Sequence, residues 1–121
     1  MNQVNCYDII FRMVQFVHPS KSDITLAGVL GALADPMRLR ILKSLLKKEG
    51  CQSCSEAAPC ATMAKSTLSN HFRILREAGI IRTTKRGVEN RNVVRLDEIN
   101  ERFPGLLKCI LKYDNDLSTE N

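Results

Sequence analysis

The chain has 121 residues, of which 44% are hydrophobic and 26% are charged. This composition excludes an intrinsically disordered chain and predicts a single domain over residues 1–121. The apolar N-terminal stretch is interrupted by Asp8 and Arg12 and has no basic leader, so we predict a cytoplasmic protein with no signal peptide and no contact with a membrane. In that reducing compartment the five cysteines, an odd number, argue against a disulfide framework and leave metal binding, redox sensing or packing.

Positive charge is concentrated in one quarter of the chain. Residues 65–95 contain eight basic and two acidic residues, whereas the other 90 residues contain ten basic and eleven acidic ones. The whole net charge of +5 therefore comes from one contiguous segment. Such a segment usually faces a polyanion, although chance clustering on a solvated surface gives the same count.

Three helices are predicted in the N-terminal half. Residues 4–17 indicate a helix within an N-terminal extension, residues 1–20, that ends before Pro19. A second helix is predicted from a cap near Asp23. A third begins with Asp35 at the N-cap and Pro36 in the first turn and ends at Gly50. Its apolar residues cover more than half of its circumference, which predicts a core helix.

The stretch "STLSNHFRILREAG", residues 66–79, predicts a helix with two different faces, capped by Ser66 and stopped by Gly79. On a helical wheel, one side carries Leu68, His71, Phe72, Leu75 and Ala78. The other side carries Ser66, Ser69, Asn70 and Arg73. We interpret His71 as a packed core residue rather than a metal ligand. The polar side suits phosphate oxygens and base edges in a DNA major groove, although a solvated face has the same composition.

A basic β-hairpin is predicted next. Residues 80–86 and 91–96 alternate and are rich in Thr, Val and Ile, with "GVEN" between them and Lys85, Arg86 and Arg91 near the turn. A helix followed by a basic hairpin can contact a groove and the flanking backbone together. Asp97 is predicted to cap a further helical stretch, and Pro104 to begin an amphipathic C-terminal helix over residues 104–113.

The stretches "ALADPMRLRILKSLL" and "STLSNHFRILREAGII", followed by the basic hairpin, resemble the ArsR/SmtB family of bacterial winged-helix repressors. The resemblance implies a mainly α fold, a winged helix-turn-helix with a small antiparallel β-hairpin wing. It also implies a homodimer that binds double-stranded operator DNA and releases it when an effector binds. The DNA-contacting residues are then expected to be Lys65, Ser66, Thr67, Ser69, Asn70 and Arg73 in the helix and Lys85, Arg86 and Arg91 in the wing.

Apolar residues of the two terminal helices also predict a dimer. The N-terminal helix carries Tyr7, Ile10, Phe11 and Val14, and the C-terminal helix carries Leu106, Leu107, Ile110 and Leu111. Together they exceed what a small winged-helix core can absorb, and exposed apolar patches of that size usually find a partner. We therefore expect residues 104–113 to form a dimerisation helix.

Three cysteines lie within the segment "CQSCSEAAPC", residues 51–60. Counting back from Ser66 places this segment in and around the first helix of the helix-turn-helix. Arsenic and cadmium sensors in the family often carry a CxC pair there, and only Cys54 matches that pattern. Cys51 and Cys54 at this spacing can share one face of a helical turn, and we expect Cys60 to turn back as a third thiol after Pro59. Three thiolates suit arsenite or a soft divalent metal ion as effector.

Other uses of the cysteines stay open. The same thiols can form a disulfide or persulfide in a redox or reactive-sulfur sensor, or the protein has no cysteine-based effector. Cys6 is either a fourth ligand or, like Cys109, a small apolar packing residue. A CxxC pair also occurs in thiol oxidoreductases, but there it lies in a βαβ unit, and no such unit is predicted around residue 51. We therefore predict that the protein is not an enzyme.

Overall fold

The structure, a computed structural model, describes residues 16–47, 52–53 and 63–114. After a short 3-10 turn at Lys21–Asp23, the regular elements are α1 (Leu26–Ala32), α2 (Pro36–Lys47), β1 (Gln52–Ser53), α3 (Lys65–Glu77), β2 (Ile81–Arg86), β3 (Glu89–Val94), α4 (Leu96–Arg102) and α5 (Leu106–Asp114). Helices dominate, and β2 and β3 form one antiparallel hairpin. The predicted fold class is confirmed.

One hydrophobic core connects the helices with the base of the hairpin. Its largest fully buried apolar side chains are Ile24, Val29, Ile41, Leu42, Phe72, Leu75, Ile80, Ile81, Ile99 and Leu107. These residues come from every helix and from the start of β2. The core therefore packs α3 against the base of the hairpin, and leaves the outer face of α3 and the hairpin tip in solvent.

The N-terminal helix boundaries differ in part from the prediction. Asp23 belongs to the 3-10 turn, and α1 is capped instead by Thr25, whose hydroxyl accepts a 3.0 Å hydrogen bond from Gly28 N. In α2 the predicted cap is present, because Asp35 Oδ1 accepts hydrogen bonds from Met37 N at 2.7 Å and Arg38 N at 3.2 Å. Burial acts to raise the pKa of Asp35, but these two N–H groups and the Arg38 charge outweigh it and lower the pKa.

Two further caps were predicted wrongly. The first turn of α3 closes on Ala64, whose carbonyl accepts from Leu68 N at 2.9 Å, so Ser66 lies inside the helix with an exposed side chain. The start of α3 therefore has no side-chain cap, and its first residue is Lys65, a good helix former. Helix α4 begins after Arg95, and Asp97 lies in its first turn, where a carboxylate favours the helix dipole without capping.

The hairpin has a tighter turn than expected. Strands β2 and β3 pair from Ile81 with Val94 to Arg86 with Glu89, which leaves a two-residue turn at Gly87 and Val88 instead of the four residues of "GVEN". Gly87 has a φ of +61°, as the first position of a tight hairpin turn requires. The base of the hairpin is therefore anchored in the core and its tip projects into solvent.

A third strand was not predicted. Gln52 pairs with Asn92 and Ser53 with Arg91, so β1 adds to the free edge of β3 and the strand order is β1-β3-β2. The prediction that residues 51–60 begin in a helical turn is wrong at positions 52 and 53, because both are extended. Cys6, Cys51, Cys54 and Cys60 lie outside the described residues, as do Gly50 and the predicted helix at 4–17 except for its last two residues, which are not helical. None of the described helices is long and apolar enough to cross a membrane.

Candidate nucleic-acid interface

The outer face of α3 is polar and exposed. Its exposed side chains are Lys65, Ser66, Thr67, Ser69, Asn70, Arg73 and Glu77, while the opposite side buries Phe72 and Leu75 in the core. Five of the six predicted contacts on this helix lie within its first six residues. Because most of these side chains are short, the backbone of α3 can approach another surface closely, as a helix in a major groove must.

Arg73 is held along the helix by two neighbours. Its guanidinium donates to Asn70 Oδ1 at 2.5 Å and to Glu77 Oε1 at 3.1 Å. The guanidinium is therefore extended across the exposed face before any ligand binds. Half of the Arg73 side chain is exposed, 51%, and the Glu77 side chain is 60% exposed, so this pair is weak and a phosphate or a guanine edge can replace the carboxylate.

The wing presents cations around its tip. Lys85 and Arg86 are exposed at the end of β2, and Arg91 is half-buried on β3, where its Nη1 lies 3.6 Å from Glu89 Oε1. Arg91 also pairs in the ladder with Thr84 on one side and Ser53 on the other. Its backbone is thus fixed by both neighbouring strands, whereas Lys85 and Arg86 lie on the part of the hairpin that extends beyond β1.

The base of the wing contains a buried polar network. Thr83 and Asn92 face each other across the ladder, and the Thr83 hydroxyl donates to Asn92 Oδ1 at 2.7 Å. Arg76 of α3 donates to the same hydroxyl at 3.3 Å. Thr83 and Asn92 are 2% and 0% exposed, so these bonds replace water in a dry environment where loss of one partner is costly. The network ties the wing directly to the end of α3.

A cluster of two arginines and a glutamate links the hairpin to α4. Arg95, directly after β3, donates to both carboxylate oxygens of Glu98, at 3.0 and 2.8 Å, and Arg82 of β2 donates to Glu98 Oε2 at 3.3 Å. The hydrogen bond from Arg95 is the main reason that the pKa of Glu98 falls to about 2. The carboxylate is charged at any ordinary pH, so the fastening does not depend on pH near neutrality.

The turn between α3 and β2 requires glycine. Gly79 has a φ of +84°, and a Cβ there would lie 2.5 Å from Ile24 Cγ1 and 3.3 Å from Pro19 Cγ. The chain N-terminal to α1 therefore packs directly against the end of α3. Farther along the same helix, His71 is half-buried and its Nδ1 lies 3.1 Å from Arg38 Nη1 at the start of α2. Because a guanidinium only donates, His71 accepts through Nδ1 and is a bridging residue rather than one enclosed by apolar neighbours.

Several of these interface residues were missed from the sequence. Period-two alternation puts Asn92 on the same side of β3 as Val94, and a polar residue on an inward-facing position was an available sign of the network with Thr83. No local pattern predicts that residues 16–19 pack against the wing. The partners of His18 and Pro19 lie 65 and 76 residues away in the chain.

The predicted metal ligands Cys51, Cys54 and Cys60 lie outside the described part of the chain. Among the described residues, no group of three or more His, Cys, Asp and Glu side chains is arranged to hold a metal ion. Cys109 is an exposed free thiol on α5, so its prediction as a packing residue is wrong. The helix turns its buried side, with Leu107 at 1% exposure, towards the core instead.

An exposed polar helix beside a cationic hairpin, joined to it by a buried network, defines a winged helix-turn-helix DNA-binding domain. The model of a helix-turn-helix domain family matches residues 33–84. An uncharacterized HTH-type transcriptional regulator of Bacillus subtilis, YceK, is 33% identical over 84 residues, which is 69% of this chain and 84% of that one.

Solved structures give the same result. An ArsR-like transcriptional regulator from Rhodococcus sp. RHA1 is 28% identical, with a TM-score of 0.54 over 78% of this chain and 87% of that chain. The homodimeric winged helix-turn-helix domain of Mb0332, a possible ArsR-family regulator from Mycobacterium bovis, is 21% identical, with a TM-score of 0.58 over 79% of this chain and 83% of that one. The protein belongs to the ArsR family of winged helix-turn-helix transcriptional regulators. These are not enzymes, which confirms the corresponding prediction.

Proposed function

We propose that the protein is a sequence-specific repressor that reads its operator through α3. The main support is the exposed face of α3, whose side chains are mostly short and polar. It lies beside exposed cations on a hairpin that is anchored to the same core. Ser69, Asn70 and Arg73 read base edges in the major groove, and Lys65, Ser66 and Thr67 contact phosphates near the start of the helix. Lys85, Arg86 and Arg91 bind the backbone or the minor groove beside it.

The repressor acts as a homodimer in this proposal. Leu26 and Leu30, one turn apart on α1, are 46% and 45% exposed, which makes an apolar stripe suited to a second copy. Leu106, Ile110 and Leu111 of α5 pack against this chain's own core, so α5 offers less free apolar surface than the sequence suggested. The fold is shared with the homodimeric domain of Mb0332. A two-fold dimer suits operator half-sites one DNA turn apart.

The effector in this proposal is arsenite or a soft metal ion held by Cys51, Cys54 and Cys60. Thiolates are the preferred ligands of such ions. Strand β1 consists of the two residues between Cys51 and Cys54, and its pairing with Asn92 and Arg91 connects it to the wing. Ligation on either side of β1 then changes how the wing is presented to DNA. A coupling of about 1 to 3 kcal/mol gives roughly 5- to 150-fold release.

Oxidation is the second candidate for the inducing event, because the same thiols can form a disulfide or a persulfide in place of a metal complex. It uses the same connection through β1 to the wing. The two mechanisms differ in reversal: a phosphine reductant without a thiol reverses a disulfide or a persulfide, whereas bound arsenite leaves only when a competing chelator takes it. The location in the cytoplasm, where both operator and reduced thiols occur, stays a prediction.

The test is a binding measurement on the reduced full chain. An operator is selected from random duplexes, and its affinity is compared with that of a scrambled duplex by fluorescence anisotropy. We expect a clear preference for the selected operator, and equal affinity for both duplexes would reject the proposal of specific repression. The operator complex is then exposed in turn to arsenite, cadmium, zinc, peroxide and polysulfide.

Serine variants locate the sensing site. Cys51→Ser, Cys54→Ser and Cys60→Ser should retain operator binding and no longer respond to the active compound. Cys109→Ser removes an exposed thiol outside the cluster and should respond like the parent. If all four variants respond to the compound like the parent, the cluster is not the sensor and the protein has no effector that depends on these cysteines.

A further inference from the structure

Residues 16–20, here called the arm, lie against the joint between α3 and the wing. His18 accepts a 2.9 Å hydrogen bond from Thr83 N through its Nε2. Pro19 O accepts a 2.8 Å bond from Arg95 Nη1. The arm thus covers the free edge of β2, on the opposite side of the sheet from β1.

The arm also contacts α3. The Arg76 guanidinium lies over the Phe16 ring, 4.4 Å from its centroid, and the same arginine donates to the Thr83 hydroxyl at 3.3 Å. Thr83 therefore donates hydrogen bonds to His18 of the arm and to Asn92 of β3, and accepts one from Arg76 of α3. One residue of the wing base joins three elements, and two of them are the elements that the proposed function places on DNA.

This arrangement requires a neutral His18. Because Thr83 N donates to Nε2, the proton of the ring lies on Nδ1, and an imidazolium could no longer accept. The charged groups around His18 are Arg76 on α3, Arg82 on β2 and Arg95, with Glu98 of α4 bound to the latter two. Burial, followed by the charges of Arg82, Arg76 and Arg95, lowers the pKa of His18 below its ordinary value.

We infer that the arm is a positioning element for DNA binding: His18, through Thr83, holds the wing at a fixed angle to α3, so that both can engage DNA together. This inference rests on the proposed function, since it takes α3 and the wing as the DNA-binding elements. His18 and Phe16 do not need to touch DNA. Their contribution is preorganisation, because an unfastened wing must be ordered at the moment of binding.

Protonation of His18 predicts how operator affinity changes with pH. Protonation of His18 removes its acceptor and adds a positive charge beside three arginines, so it opposes the fastened state. The contribution of His18 is fully present above its unfolded pKa, near 6.5, and is lost as pH falls through its lower folded pKa. Operator affinity should therefore decrease on acidification.

Three variants of the full chain test the inference. His18→Ala removes the acceptor, and we expect operator binding roughly 3- to 10-fold weaker, the effect of about one net hydrogen bond. His18→Gln places an amide oxygen near the position of Nε2 and should restore most of the affinity. Val17→Ala is the matched control in the arm, since Val17 is 81% exposed, and should bind like the parent.

Two readouts separate positioning from general stability. As the pH falls below 6.5, the ordinary pKa of a histidine, operator affinity of the parent should fall more steeply than that of His18→Gln. Hydrogen exchange should show the Thr83 amide protected in the parent and exposed in His18→Ala. Unchanged exchange would show that His18 does not hold the strand, and exposed Thr83 with unchanged operator affinity would refute positioning. Parent protein that binds no DNA specifically would overturn the proposed function while the exchange result stands.

Discussion

In the proposed function, α3 and the wing contact the same polyanion, but they differ in physical design. Helix α3 presents mostly short side chains on its exposed face, together with Arg73, which is held by Asn70 and Glu77. The wing presents long cations around a two-residue turn, while its base is fastened by the buried pair of Thr83 and Asn92. The short side chains of α3 suit close approach to bases, and the long cations of the wing suit contact with phosphates. We therefore expect changes in α3 to alter mainly sequence specificity, and changes in the wing to alter mainly affinity for any DNA.

The largest expected effect comes from removing the base readers. Replacing both Asn70 and Arg73 by alanine should weaken operator binding by roughly 1 to 3 kcal/mol for each bidentate hydrogen-bonded base that is no longer read. Binding to scrambled DNA should fall much less, because the wing cations are intact. Anisotropy titrations with operator and scrambled duplexes measure the ratio. A double variant that stays as selective as the parent would mean that α3 does not read the sequence.

The next effect concerns the fastening of the wing. Glu98→Gln should lower the free energy of unfolding near neutral pH by about 1 to 3 kcal/mol, because the buried Arg95 guanidinium, 2% exposed, loses a charged acceptor. The pKa of Glu98 is depressed from 4.5 to about 2. Its stabilising contribution is therefore present above pH 4.5 and is lost as pH falls towards 2.

Acid unfolding checks this assignment. Urea denaturation at several pH values should show that the parent loses stability between about pH 4.5 and about pH 2, with a flatter profile in Glu98→Gln. Glu101→Gln, an exposed carboxylate on α4 that pairs with Lys21, is the control and should resemble the parent. Parallel profiles for all three proteins would contradict the role of Glu98.

Features of α3 and the wing that depend on local sequence could be predicted, whereas those that depend on contacts between distant residues could not. The polar face of α3 and the basic hairpin follow from local periodicity, and both are present in the structure at nearly the expected positions. Strand β1 has two residues and no alternation to detect. The fastening of the wing depends on His18, Arg95 and Thr83, which are distant in sequence, so only the folded chain brings them together.

Cap prediction failed for a related reason. Ser66 and Asp97 are good N-cap residues, yet α3 and α4 start at Lys65 and Leu96 with Ala64 and Arg95 at their caps. In α3 this leaves Ser66 exposed and available to bind DNA. In α4 the residue before the helix is the arginine that binds Glu98 and Pro19. In α4 these contacts of Arg95 outweigh a local cap preference of about 1 kcal/mol. No tertiary contact among the described residues explains the start of α3.

A smaller effect is expected at the tip of the wing. Replacing Lys85 and Arg86 by glutamine removes two exposed cations, so the slope of log affinity against log salt should decrease by about 0.9 for each phosphate that is no longer neutralised. Operator and scrambled DNA should be affected alike, which is the opposite of the result for Asn70 and Arg73. If the pair changes selectivity instead, the wing reads shape or sequence and the division between the two elements fails.

The smallest effect is expected from the Arg73–Glu77 pair on α3. Glu77→Gln removes the carboxylate that accepts from Arg73 at 3.1 Å, an exposed pair worth about 0.3 to 0.5 kcal/mol to the helix. The arginine is then less restrained and the face is less negative, so scrambled DNA should bind about 2- to 3-fold more tightly while operator binding changes less. Glu101→Gln makes the same change in net charge on α4, and its titrations separate the two causes. An equal rise in both variants would mean that only total charge matters, whereas a rise confined to Glu77→Gln means that this carboxylate keeps Arg73 from binding phosphates indiscriminately.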